Sequence, residues 1–175
     1  MEQIKLGKKV RVSDPCYGTK VWCAGTIDNV KEGLYNVDVE LVDDLWGSKY
    51  SRVKSLTVVH ADYKDPLSLF FNKAVPFEVG VDSGQAGIYD EDYYNQYHSI
   101  DNCNGDWYED ICELTYPAGT KDGKCVVSSS GYGDGCYICE VAEDNNEVVA
   151  IRIIFIEDDE EDEEDYEDEE DEDEE

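Results

Sequence analysis

The run CYICEVAEDNNEVVAIRIIFI, residues 136–156, decides the fold class. Its first part, CYICEVA over 136–142, alternates as a strand does. Glu143 to Asn146 make a tight turn, and EVVAIRIIFI over 147–156 forms a second strand. There Val149, Ile151, Ile153 and Phe155 alternate with Ala150, Arg152 and Ile154, so the strand is apolar on nearly both faces. A strand of that kind belongs in the middle of a sheet.

Working back toward the N-terminus, more strands appear. KCVVSSS (124–130) precedes the pair, and FEVGVD (77–82) alternates, turns at Ser83-Gly84 and is expected to pair back through Ala86 to Tyr89. RVKSLTVV (52–59) is another strand. LYNVDVEL (34–41) puts Tyr35, Val37, Val39 and Leu41 on one face and Asn36, Asp38 and Glu40 on the other. With VWCAGTI (21–27) and a turn at Lys31-Glu32-Gly33, residues 21–41 read as a hairpin. KKVRVS (8–13) is a strand ended by Asp14-Pro15. Asp65-Pro66 opens a short helix through 71, and Asp90 caps a helix carrying Tyr93, Tyr94 and Tyr97. Asp106 with Glu109 resembles a capping box for WYEDICEL, which Pro117 and Gly119 bring to a stop. Roughly seven to nine strands with two or three short helices predict an α+β or mainly β fold. Residues 1–156 are expected to form a single compact domain, an antiparallel sheet or partly closed barrel; 157–175 are expected to be a disordered polyacidic tail.

The 175 residues (19.8 kDa) carry 44 acidic and 14 basic side chains, a net charge of -30. Residues 157–175 hold 18 acids and one tyrosine; 76–156 have a net charge of -13, and 1–75 a net of +1. Like charges at every spacing prevent the tail from folding alone. It reads as a solubility spacer, as a polyanionic arm that competes with nucleic acid for a basic partner, or as a strap over the chain's own bases (Lys5, Lys8, Lys9, Arg11, Lys49, Arg52 and Lys54). The charge disfavours direct binding to nucleic acid, whose phosphates it repels. No apolar run is long enough for a membrane helix, and MEQIKLGKKVRV has no apolar stretch of a secretory leader, so a cytoplasmic location is expected.

Seven cysteines (Cys16, Cys23, Cys103, Cys112, Cys125, Cys136 and Cys139) read as reduced, mostly buried thiols. Cys136 and Cys139 have zinc-knuckle spacing, but a strand sends positions three apart to opposite faces. Tyr89, Tyr93, Tyr94, Tyr97, Tyr108 and Tyr116, with Trp107, crowd one acidic stretch. They serve either a recognition surface or a core with hydroxyls at its edge.

Three polar loops follow strands: Asp14-Pro15-Cys16-Tyr17-Gly18, Val81 to Gly87, and Ser128 to Gly135. If the strand ends converge, the loops share one rim. Asp14, Asp82 and Asp134 would then suit a hard cation, or each caps its own turn. Gly131 to Gly135 cannot be a dinucleotide cradle, because a strand and not a helix follows; a small-anion nest or a tight hairpin remains. Ser83 lies in DSGQ, outside the nucleophile-elbow pattern. Cys16 or Cys23 would need His60 or His98 as base, and no spacing marks such a pair; His60 reads as a strand-end surface residue.

The DPCY (14–17), FEVGVDSGQAGIYD (77–90) and SSSGYGDGCY (128–137) blocks resemble an uncharacterised family of small phage and bacterial proteins. The likeness spans roughly residues 8–156 and excludes the tail. It implies a compact, β-rich, soluble, often phage-encoded protein, with no family activity to carry over.

The function expected is that of a non-enzymatic acidic binding protein, a phage accessory factor engaging a basic host protein surface, with nucleic-acid mimicry as one form. The alternative is a small-ligand or metal-binding protein, or an enzyme, built from Asp14, Asp82, Ser83, Gln85, Tyr132 and Asp134. A third, passive reading is a chaperone-like acidic protein that keeps basic partners from aggregating. No cofactor is expected.

Overall fold

Strand pairing organises the chain into two antiparallel sheets with a pair of helices on one of them. The computed structural model describes residues 2–43, 51–63, 71, 73–100 and 103–157. In chain order these form β1 (Gln3–Leu6), β2 (Val10–Ser13), β3 (Gly25–Ile27), β4 (Gly33–Val42), β5 (Arg52–His60), β6 (Lys73–Ala74), β7 (Val79–Val81) and β8 (Gln85–Asp90). Helices α1 (Glu91–Tyr97) and α2 (Gly105–Leu114) follow, then β9 (Ala118–Lys121), β10 (Cys125–Ser129), β11 (Gly135–Asp144) and β12 (Glu147–Ile154). One sheet runs β1-β4-β5-β12-β11-β6, with β7 also paired to β11; the other runs β3-β2-β8-β10-β9. The fold is mainly β, as expected.

β12 lies between β5 and β11, with Ile153 opposite both Leu56 and Cys139. Its turn from β11 is made by Asn145 and Asn146 at φ 51° and 65°, the left-handed pair that a two-residue hairpin requires. The main core lies between the sheets: Tyr35, Leu56, Val58, Val141, Ile151 and Ile153 meet Val10, Val12, Ala86, Ile88 and Val126. Each valine, leucine or isoleucine buried there stabilises the fold by about 1.5–3 kcal/mol relative to exposure. A second core, of Tyr89, Cys125 and Val127 against Tyr93, Tyr94, Trp107 and Ile111, fills the space under the helices. The crowded aromatics are therefore largely packing groups; Tyr116 is the exception, 89 % exposed.

Several element assignments change in the folded chain. Residues 21–41 are not a hairpin: β3 pairs with β2, whereas β4 pairs with β1 and β5 in the other sheet. Backbone hydrogen bonds of Val30 to Lys8, and of Lys31 to Val148, carry the chain across. β8 likewise pairs with β2 and β10 rather than back on β7. Alternation marks a strand but not its neighbour. On β4 a bulge at Glu40/Leu41 turns Leu41 toward solvent. The cap of α2 is Asn104, whose Oδ1 accepts from Trp107 N at 3.0 Å, so Asp106 lies within the first turn. Asp90 caps α1 as expected.

Cys136 is exposed and Cys139 sits in the main core, on opposite faces of β11; all seven cysteines are free thiols. Among the described residues no helix is long and apolar enough to cross a membrane. Apart from Phe71, the helix expected over 65–71 lies outside the described residues, as does the tail beyond Glu157.

Candidate functional site

The sheet registers bring the three polar loops together. β2 ends with Ser13 opposite Gly87, β8 starts with Gln85 opposite Ser129, and β11 starts with Gly135 opposite Val81. Residues 82–84 and 130–134 therefore both cross from one sheet to the other at the end where residues 14–18 leave β2. The Ser128–Gly135 loop is not a hairpin, since β10 and β11 belong to different sheets. Its turn uses Gly131 at φ 56° and Gly133 at φ 110°, conformations that favour glycine.

Asp14 is the buried fastener of this cluster. Its Oδ2 accepts from the backbone N–H groups of Asp82 (2.9 Å) and Ser83 (2.8 Å). Its Oδ1 accepts from Ser83 Oγ and Cys16 N, both at 2.8 Å. Four donors occupy the carboxylate, leaving it committed to holding two loops together rather than to a cation. The third loop joins through Gly84, whose N–H donates to Asp134 Oδ1 at 3.0 Å and whose carbonyl accepts from Ser130 N at 3.0 Å. The α1 side adds two pins: Tyr94 hydroxyl donates to Tyr17 O at 2.7 Å, and the His98 ring meets Pro15 O at 3.0 Å.

The other predicted residues separate. Gln85 points toward the helices, with Nε2 3.4 Å from Cys112 Sγ and Oε1 buried without a hydrogen-bond partner. Tyr132 is exposed, and the Arg52 guanidinium lies 4.9 Å over its ring while donating to Gly131 O. Ser83 hydroxyl faces Asp14 and not a histidine. His98 has its ring nitrogens against the carbonyls of Tyr94 and Pro15, and His60 is buried at the far end of β5 near Glu32 O and Asp62 N. His60 is thus a strand-end residue, but packed edge-on against Tyr35 rather than at the surface. Burial, with the Asp14 carboxylate beside it, holds the Cys16 thiol well above its ordinary range, so it stays protonated at neutral pH. Among the described residues no group of three His, Cys, Asp or Glu side chains is arranged to hold a metal ion. Gly133 N is spent on Ser130 O, and Asp134 places a carboxylate in the loop, a setting that repels an anion.

Asp82 and Asp134 meet instead on the wall of an open cleft of about 400 Å³, together with Tyr17, Trp22, Cys23 and Cys136. Tyr17 hydroxyl donates to Asp82 Oδ2 at 2.6 Å; burial and then that carboxylate keep the phenol far above its usual range. Trp22 is 80 % exposed on the rim. The segment carrying it reads as strand in the sequence, but β3 starts only at Gly25, and Cys23 lies against β7 instead. Gly80 makes that approach possible: its N–H donates to Cys23 O at 2.8 Å, and a Cβ there would stand 2.5 Å from Cys23 Sγ. No signal in the sequence joins Trp22 to Asp134, since the cleft they share depends on both sheet crossings. Compared with family models, with curated proteins and with solved structures, the chain matches none.

Proposed function

We propose that this chain is a non-enzymatic acidic binding protein that engages a basic surface of another protein. The observation that carries the reading is the charge asymmetry: 34 of the 44 acidic residues follow residue 76. Much of the basic complement is already paired within the chain, as in Arg11–Glu91, Lys31–Asp62, Lys54–Glu40, Lys121–Asp110 and Arg152–Glu140. The surplus is carboxylate. Such a surface speeds encounter with a cationic partner and loses its hold as salt screens it. The resemblance of the three loop blocks to an uncharacterised family of small phage and bacterial proteins, taken as phage-encoded, makes a host protein the partner that this reading favours. Affinity capture from host lysate with the full chain, and with a chain ending at Glu157, tests it. A basic protein should be retained at about 50 mM salt and released at about 500 mM, where the Debye length falls to a few ångströms. Failure of both chains to retain any protein at low salt would discard the reading.

The convergence of the loops supports a second reading, a small-ligand site. With Asp14 occupied by its four donors, the carboxylates such a ligand would meet are those of Asp82 and Asp134. A bound metal or an enzymatic reaction gains no support from this arrangement, since Ser83 and Cys16 each have Asp14 as neighbour and no histidine base.

A further inference from the structure

We infer that the cleft between Trp22, Tyr17, Asp82 and Asp134 is a receptor for one arginine side chain presented by the basic partner. This rests on the charge reading above and gives it a place on the molecule. The cleft walls carry two carboxylates and two aromatic rings, and none of its lining residues is a lysine or arginine. Among the described residues neither Asp82 nor Asp134 forms an ion pair with a base; their contacts are to Tyr17 hydroxyl and to Gly84 N–H. Each carboxylate thus keeps acceptor capacity for an incoming cation. Asp14 fixes the loop that carries Asp82 from behind, and Gly84 of that loop ties down the one that carries Asp134, so the pair is preorganised.

Trp22 distinguishes this place from a merely acidic surface. A tryptophan 80 % exposed has no packing role that explains it, and this one lines the cleft that holds both carboxylates. Its ring offers a negative π-face to a planar, weakly hydrated cation, while the carboxylates accept the guanidinium N–H groups. A planar fork exploits both features better than the compact ammonium of lysine. The volume of about 400 Å³ accommodates a side chain and excludes a folded element.

The test uses the full chain and two probes of nearly identical shape, N-acetyl-arginine amide and its uncharged isostere N-acetyl-citrulline amide. Binding is followed by NMR through the Trp22 indole N–H and the amides of Gly80 and Gly135. The arginine probe should shift these signals saturably, with a dissociation constant on the order of millimolar. The citrulline probe should not. Asp82→Asn and Asp134→Asn keep an oxygen for Tyr17 and Gly84 but should each weaken binding about fivefold, and the exposed Trp22→Ala should do so about threefold. Equal shifts with the uncharged probe, or saturable shifts that map elsewhere on the chain, would overturn the assignment. So would partner capture that is undiminished in the Asp82→Asn/Asp134→Asn protein, although the charge reading would then survive. If the arginine probe binds in the cleft while no basic protein is captured, the receptor stands and the charge reading fails.

Discussion

Asp14 shows how one side chain can hold a site without entering it. It is fully buried and accepts four hydrogen bonds, three of them from residues nearly seventy positions away. Asp14→Ala orphans those donors and should cost about 3 kcal/mol, since bonds to a charged group are among the stronger ones. Urea unfolding measures it, and an unchanged midpoint would show that water replaces the carboxylate. His98 sets a different test. Its ring stacks on Tyr94 at 3.6 Å between two carbonyls. Burial lowers its pKa below the ordinary 6.5, while the two carbonyls pull the other way and only reduce the shift. The unfolded chain therefore takes up the proton first. Stability is indifferent to this group well above pH 6.5 and falls as pH drops through 6.5 toward the lower folded value. An NMR titration should place the His98 midpoint below 6.5, and His98→Gln should remove this part of the acid-side loss. That Asp14 and His98 matter at all was half legible: both were singled out from the sequence, but as a ligand and as a candidate base. Their actual partners are backbone groups that no sequence pattern marks.

At the scale of elements, the strands and α1 were read with fair accuracy because each carries its own signal: period-two alternation, or an aspartate before a helical run. α2 shows the limit. Asp106-x-x-Glu109 has capping-box spacing, yet the helix starts earlier and Asn104 supplies the cap. Asn and Asp cap comparably well, so the sequence offers two starts; the burial of Trp107 and Ile111 under the second core selects between them. Asn104→Ala should cost about 1 kcal/mol and Asp106→Ala no more than about 0.5 kcal/mol, compared by thermal unfolding. The reverse order would return the cap to Asp106. Strand neighbours were the weaker part of the reading. β3 and β8 each look like one arm of a local hairpin, but each lies in the opposite sheet from its expected partner, because the inner-face aliphatics of both sheets must meet in one core.

For the whole molecule, charge acts on folding and on binding in opposite senses. A net of -30 opposes the compact state by self-repulsion, which salt relieves. The melting temperature should therefore rise by a few degrees between about 10 and about 200 mM sodium chloride, as the Debye length shrinks from about 30 Å toward 8 Å. A melting temperature that is flat or falling with salt would mean that the surplus carboxylates lie too far apart to repel. Partner capture should weaken over the same range, so the two measurements separate stability from recognition.

The sequence alone determined the strand-rich class, the central place of residues 147–156, the opposed faces of Cys136 and Cys139, and where the charge is concentrated. All of these follow from side-chain periodicity and composition, which are local. The tertiary structure decided which strands are neighbours, that three loops up to about 120 residues apart in the chain are fastened together through Asp14 and Gly84, and that Trp22 shares a cleft with Asp82 and Asp134. Those facts depend on the two crossings between sheets, and the crossings are set by burying two inner faces against each other, a constraint spread over the whole chain rather than written in any one segment of it.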